Sequence, residues 1–151
     1  MADKLIITKY GVMEVDFTPE EIAQRELERI NSLPSLSEAQ QQKILELNTA
    51  CNQDILNGFS SSCAGVEHQY KFDLEYQANM NQKATMFLLT NATETKWPTK
   101  DAGVVIHGRE QFIQLCVDAE TIKEDKIYRY FVMKAQVEAC AEIEDVEAFV
   151  W

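Results

Sequence analysis

The chain has 151 residues, 46% apolar and 26% charged, enough for one globular domain with a core of its own. Its 25 acidic residues against 14 basic ones give a net charge of −11, spread over both halves of the chain. That balance argues against a surface built to neutralise nucleic-acid phosphates or anionic lipid headgroups.

Residues 4–16 are rich in β-branched side chains and partly alternate, with Tyr10-Gly11 suited to a turn, which predicts a short hairpin. Two strands alone are marginally stable, so the hairpin must lean on the rest of the domain or on a partner. The apolar stretch Leu5-Ile6-Ile7 is too short for a signal peptide, and no run approaches the roughly 18 residues that span a bilayer. Cys51, Cys63, Cys116 and Cys140 form no CxxC pair. They read as reduced thiols of a cytoplasmic chain, mostly in the core.

Thr18-Pro19-Glu20-Glu21 predicts a helix start, with Thr18 capping, Pro19 in the first turn and Glu21 closing a capping box. That helix runs to about Ser32, with Ile22, Ala23, Leu27 and Ile30 on its apolar side, and Pro34 breaks it. A second helix is expected to start at Ser37, with Gln40 in its third position, and to bury Ile44, Leu47, Cys51 and Ile55. Gly58 is placed to end it in the left-handed conformation. Residues 59–65 read as a small-residue connector, and Val66 to Phe72 as a strand. Asp73 can cap a third helix over about 74–91 that buries Tyr76, Met80, Ala84, Phe87 and Leu88. Residues 91–103 read as a loop, and Val104 to His107 as a second short strand able to pair with the first. From Arg109 to about Ala141 no Pro or Gly interrupts a near-heptad rhythm of Phe112, Leu115, Cys116, Ala119, Ile122, Ile127, Tyr130, Lys134, Val137 and Ala141. The pattern is either one long helix or two broken at Lys123-Glu124-Asp125-Lys126, and its apolar stripe is either core or an oligomer seam. Glu144 to Trp151 carries Val146, Phe149, Val150 and Trp151 for docking. The expectation is a mainly α, α+β fold with about four helices, an N-terminal strand and helix segment over 1–36, and a domain over 37–151.

Catalytic and metal signatures are sparse. His68 and His107 fall on the two predicted strands with no second pair of ligands, so no metal site is expected. Ser61-Ser62-Cys63-Ala64-Gly65 lacks the first glycine and the strand–turn–helix setting of a nucleophile elbow. A thiol hydrolase using Cys63 and His68 remains the one enzymatic reading, and no Gly-rich phosphate loop or cofactor motif is present. What remains is the aromatic set around Tyr70 and Trp97 and the long helical stripe with Ile127, Tyr130 and Val137, each either core or interaction surface.

Cys51…Ile55-x-x-Gly58-Phe59-x-Ser61, then Gly65-x-x-His68-x-Tyr70, Asp73-x-x-x-Gln77-x-Asn79-Met80 and Trp97-x-Thr99-x-Asp101-x-Gly103 form an ordered set of small, aromatic and amide residues. This set, continuing through His107 and the last helix over about residues 40–151, is similar to a domain-of-unknown-function family widespread in tailed bacteriophages. Its members occur in tail, baseplate and tail-fibre-associated proteins. Val15 to Glu21 also resembles the helix that precedes this domain in many phage tail proteins. The resemblance supplies no catalytic residue. It implies a structural or assembly role in a tail module, in the host cytoplasm during infection or in the virion tail. Such a role would work by binding tail or baseplate proteins and by self-association. The alternative reading is a small acidic inhibitor of a host protein, steered to a basic target by the charge of −11.

Overall fold

The computed structural model describes residues 4–8, 11–15, 17–31 and 33–151, with side chains described over 17–29 and 33–151. Contacts divide the chain into two compact units, Met1–Glu38 and Ala39–Trp151.

In the first unit, strands β1 (Lys4–Thr8) and β2 (Gly11–Val15) pair antiparallel, with Ile6 opposite Met13. The turn expected at Tyr10-Gly11 lies partly outside the described residues. Helix α1 (Pro19–Asn31) opens with the expected capping box. The Thr18 N–H donates to Glu21 Oε2 at 2.9 Å, and the Glu21 N–H donates to Thr18 Oγ1 at 3.3 Å. Ile22 and Leu27, on its apolar side, are exposed. Helix α2 (Leu36–Leu56) starts one residue before the expected cap. Ser35, not Ser37, does the capping: its N–H and hydroxyl both donate to Glu38, whose own N–H donates back to Ser35 Oγ. Ser35 directly follows Pro34, so the cap sits at the first residue free to turn into a helix.

The second unit takes α2 from Ala39 onward, and Leu47, Cys51 and Ile55 are buried along it as expected. Gly58 then turns the chain with φ +94°. A Cβ at Gly58 would lie 2.1 Å from the Tyr70 carbonyl oxygen, so the position requires glycine for its conformation and for its close approach. Strand β3 (Phe59–Ser61) lies inside the expected connector and pairs antiparallel with β4 (His68–Tyr70), Phe59 facing Tyr70. Asp73 caps α3 (Leu74–Leu89), with Oδ1 accepting from the Tyr76 N–H at 3.1 Å. Met80 and Phe87 are buried, but Leu88 is 77% exposed. One position past Phe87, it is rotated about 100° away from the buried face.

Residues 91–103, expected as a loop, contain β5 (Glu94–Pro98), which pairs antiparallel with β6 (Val104–Gly108). The two strands expected to pair with each other, β4 and β6, therefore each take a different partner. Helix α4 (Arg109–Ala139) runs unbroken through Lys123–Lys126. A short helix α5 (Ile143–Glu147) follows and buries Val146. Phe87 against Phe112 sets α3 antiparallel along the first half of α4. Gln40, Cys51 and Asp54 set α2 antiparallel along the second half. The Gln40 Nε2 donates to the carbonyls of Val137 and Cys140 at 3.2 and 3.1 Å, satisfying helix-end acceptors. Lys126 pairs with Asp54 at 3.1 Å, and the Trp151 Nε1 donates to the same carboxylate. The fold is thus mainly helical α+β, and in the second unit the β3–β4 and β5–β6 pairs are set against α4.

Candidate interaction surface

The strand pairs fill their inner faces with aromatic rings. Tyr70 is fully buried, and Trp97, Phe59, Phe72 and Phe112 join it in one cluster with Met80, Leu115 and Ala119. Tyr70, Trp97 and Val137, candidate interaction residues by sequence, are therefore core residues. Helical spacing identifies the face that packs without saying whether its neighbour is the same chain. Tyr130 is half-buried against the core, and Ile127 stands at its exposed margin.

Inside the core a polar chain is fully specified. His107 Nδ1 lies 3.2 Å from the Val105 carbonyl and Nε2 lies 2.9 Å from the Tyr70 hydroxyl. A carbonyl only accepts, so Nδ1 carries the proton and Tyr70 donates to Nε2. That leaves the Tyr70 oxygen to accept from the Cys63 thiol at 3.7 Å. Burial disfavours the charged imidazole and holds the His107 pKa below its usual value, while burial pushes the Tyr70 phenol up. A depressed histidine means that the unfolded chain binds more protons in this range, so stability falls as pH drops below about 6.5. Urea unfolding at several pH values between 8 and 5 is expected to show that loss. His107→Gln, which removes the titration, should flatten the slope in this window even though its stability at pH 8 is lower.

The hydrolase pairing is not assembled by hydrogen bonds among the described residues. His68 Nδ1 instead meets Asp101 Oδ2 at 3.0 Å, and Asp101 Oδ1 accepts from the Gln69 N–H. The His68 contact and the Gln69 bond hold the Asp101 carboxyl below the usual carboxylate range. Ser61, two residues before Cys63, is engaged with Asp118 of α4 and accepts from the Cys63 N–H. Among the described residues, no group of three or more His, Cys, Asp or Glu side chains is placed to hold a metal ion, and no helix is long and apolar enough to cross a membrane.

The accessible feature is the far side of α4. Phe112, Leu115, Ala119 and Val137 face the core, and on the opposite side Ile113, Val117, Tyr128, Phe131 and Val132 are exposed. Their spacing follows the helical repeat, so they line one stripe. Thr121 and Glu124 interrupt it and divide it into two patches. In the first, Ile113 and Val117 meet Ala84 and Leu88 of α3 across a groove of about 350 Å³ lined almost wholly by apolar atoms. Cys116 lies at the groove's base, where burial pushes its thiol up to about 11. The second patch is Tyr128, 71% exposed, with Phe131, 58% exposed, and their neighbours Ile127 and Val132. Exposed apolar patches of this kind mark places where proteins meet.

The sequence does place apolar residues on both sides of this helix, a pattern of helices buried all round. That signal identifies the second stripe, which reading a single heptad register overlooks. No curated protein and no solved structure matches the chain. The profile of one family matches residues 38–150, three-quarters of the chain and all of the second unit but its last residue, and the chain belongs to that family, described as Domain of unknown function (DUF4376).

Proposed function

We propose that this chain is a structural or assembly component of a tailed-bacteriophage tail module, working by protein–protein binding and self-association rather than by catalysis. The phage setting rests on the residue pattern quoted above. The binding role rests on one observation, the second apolar stripe of α4. A helix with an apolar stripe on each side buries one in its own core and has the other left for a neighbour. A symmetric pair would cover the Tyr128–Phe131 patch on both copies with one contact. The two-stranded β1–β2 pair offers a further contact, since a partner strand can add to an outer edge through main-chain hydrogen bonds.

Light scattering coupled to size exclusion tests the reading. The chain mass is 17.3 kDa, and the wild type is expected to elute at a multiple of it. High salt should maintain or strengthen that assembly, because it screens the repulsion between chains of charge −11 and leaves apolar contact intact. Phe131→Glu should return the mass to that of one chain with helicity unchanged. A wild type at single-chain mass at both low and high salt would refute self-association through α4.

A further inference from the structure

A separate cleft of about 500 Å³ opens between α3 and β5, lined by Tyr76, Lys83, Met86, Lys96, Trp97 and Pro98 among others. Its electrostatics differ from those of the rest of the molecule. Among the described side chains, Lys43, Lys123, Lys126 and Lys134 each pair with a carboxylate, and Lys100 donates to the Asn57 carbonyl. Lys71, Lys83 and Lys96 have neither kind of partner, and all three gather here. Lys83 and Lys96 line the cleft, and the Lys71 ammonium sits 5.3 Å from the centroid of the Tyr76 ring. Glu75 is the carboxylate among the lining residues, leaving the site locally positive in a chain of charge −11.

The floor carries a second unmet need. Trp97 is 5% exposed and is one of the lining residues, and its Nε1 is buried with no acceptor. Buried polar groups are nearly always hydrogen-bonded, so this indole N–H is one that the chain itself leaves unsatisfied. Apolar surface flanks the cations. Antiparallel register places Ile106 beside Lys96 and Val104 beside Pro98 on the outer face of the β5–β6 pair, and both are exposed.

We propose that this cleft docks an acidic segment of a partner protein, with carboxylates on Lys83 and Lys96 and an apolar side chain against Tyr76, Met86 and Pro98. Charge complementarity selects the acidic partner, and the apolar border selects a peptide over a bare anion. This cleft and the α4 stripe lie on different faces of α3, so the failure of self-association leaves this proposal standing.

Fluorescence anisotropy with the full chain and a labelled Glu-Glu-Leu-Glu-Glu peptide tests it, with Gln-Gln-Leu-Gln-Gln as the neutral probe. The acidic peptide is expected to bind at least about tenfold more tightly than the neutral one, and to weaken as salt rises. Lys83→Glu with Lys96→Glu should remove that preference, while Lys134→Glu on α4 retains it. Equal binding of the two peptides, an unaffected double variant, or a wild-type Kd weaker than about 1 mM overturns the proposal. Displacement of the peptide by inorganic phosphate at matched ionic strength would make this a small-anion site. A lower light-scattering mass of the double variant would make the occupant a second copy of this chain. Either result overturns the assignment.

Discussion

Phe112→Ala is expected to destabilise the second unit by about 3–5 kcal/mol, the range for truncating a buried aromatic ring. Phe112 is fully buried at the start of α4, where one ring joins three elements. It meets Trp97 of β5 at 5.1 Å and His107 of β6 at 6.4 Å, both edge-on, and Phe87 of α3 at 5.7 Å. Edge-on pairs add stabilisation beyond the area they bury. Truncation leaves a cavity that these neighbours close only by shifting the strands and helix that hold them, which places the effect toward the upper end. Against a total of about 5–15 kcal/mol, that loss is a large fraction of the stability. The melting temperature should fall by on the order of 10 °C. A calorimetric scan that superimposes on the wild type would mean that the ring does not join these elements.

What could be read before the structure was mostly local. Thr18 with Glu21, Asp73 before α3 and Gly58 after α2 act through bonds or dihedrals within a few residues, so their chemistry is visible in a short window. Strands β3 and β5 were not visible because each exists through a partner. Phe59-Ser60-Ser61 has three residues, two of them serine, and becomes a strand by pairing across six intervening residues with His68-Gln69-Tyr70. Helix α4 shows the same limit at the level of surfaces. Its periodicity places Phe112, Leu115 and Val137 on one stripe, but whether that stripe meets α2 and α3 or another chain is a tertiary fact. Leu88, expected in the core, is exposed, and Val137, left open between core and seam, is core. The lysine cleft was equally invisible, since Lys83 and Lys96 come together only when β5 packs beside α3. Charge counts average over such a site. The net charge of −11 describes the whole chain and hides a local cluster of the other sign.

Val137→Asp separates the two faces of α4 most sharply, and it is expected to prevent stable folding of the second unit. Val137 is fully buried, with a relative exposure of 0%. Its carbonyl accepts from Gln40 and from the Cys140 N–H, fixing the backbone where α4 ends and α2 begins to pack. An aspartate there loses the burial of the valine, about 1.5–3 kcal/mol, and forces a carboxylate into a fully buried site. An uncompensated buried charge costs a further 3–5 kcal/mol or so. Together these approach the whole stability of an ordinary domain, about 5–15 kcal/mol. Val137→Ala removes only two methyl groups and should leave a folded, less stable chain. Phe131→Asp, on the exposed stripe of the same helix, should leave a folded chain that loses only what self-association adds, far less than Val137→Asp loses. Circular dichroism melts of the three variants decide the matter. A Val137→Asp chain that melts like the wild type and elutes at a lower mass would make the inner stripe the seam and the outer one mere surface.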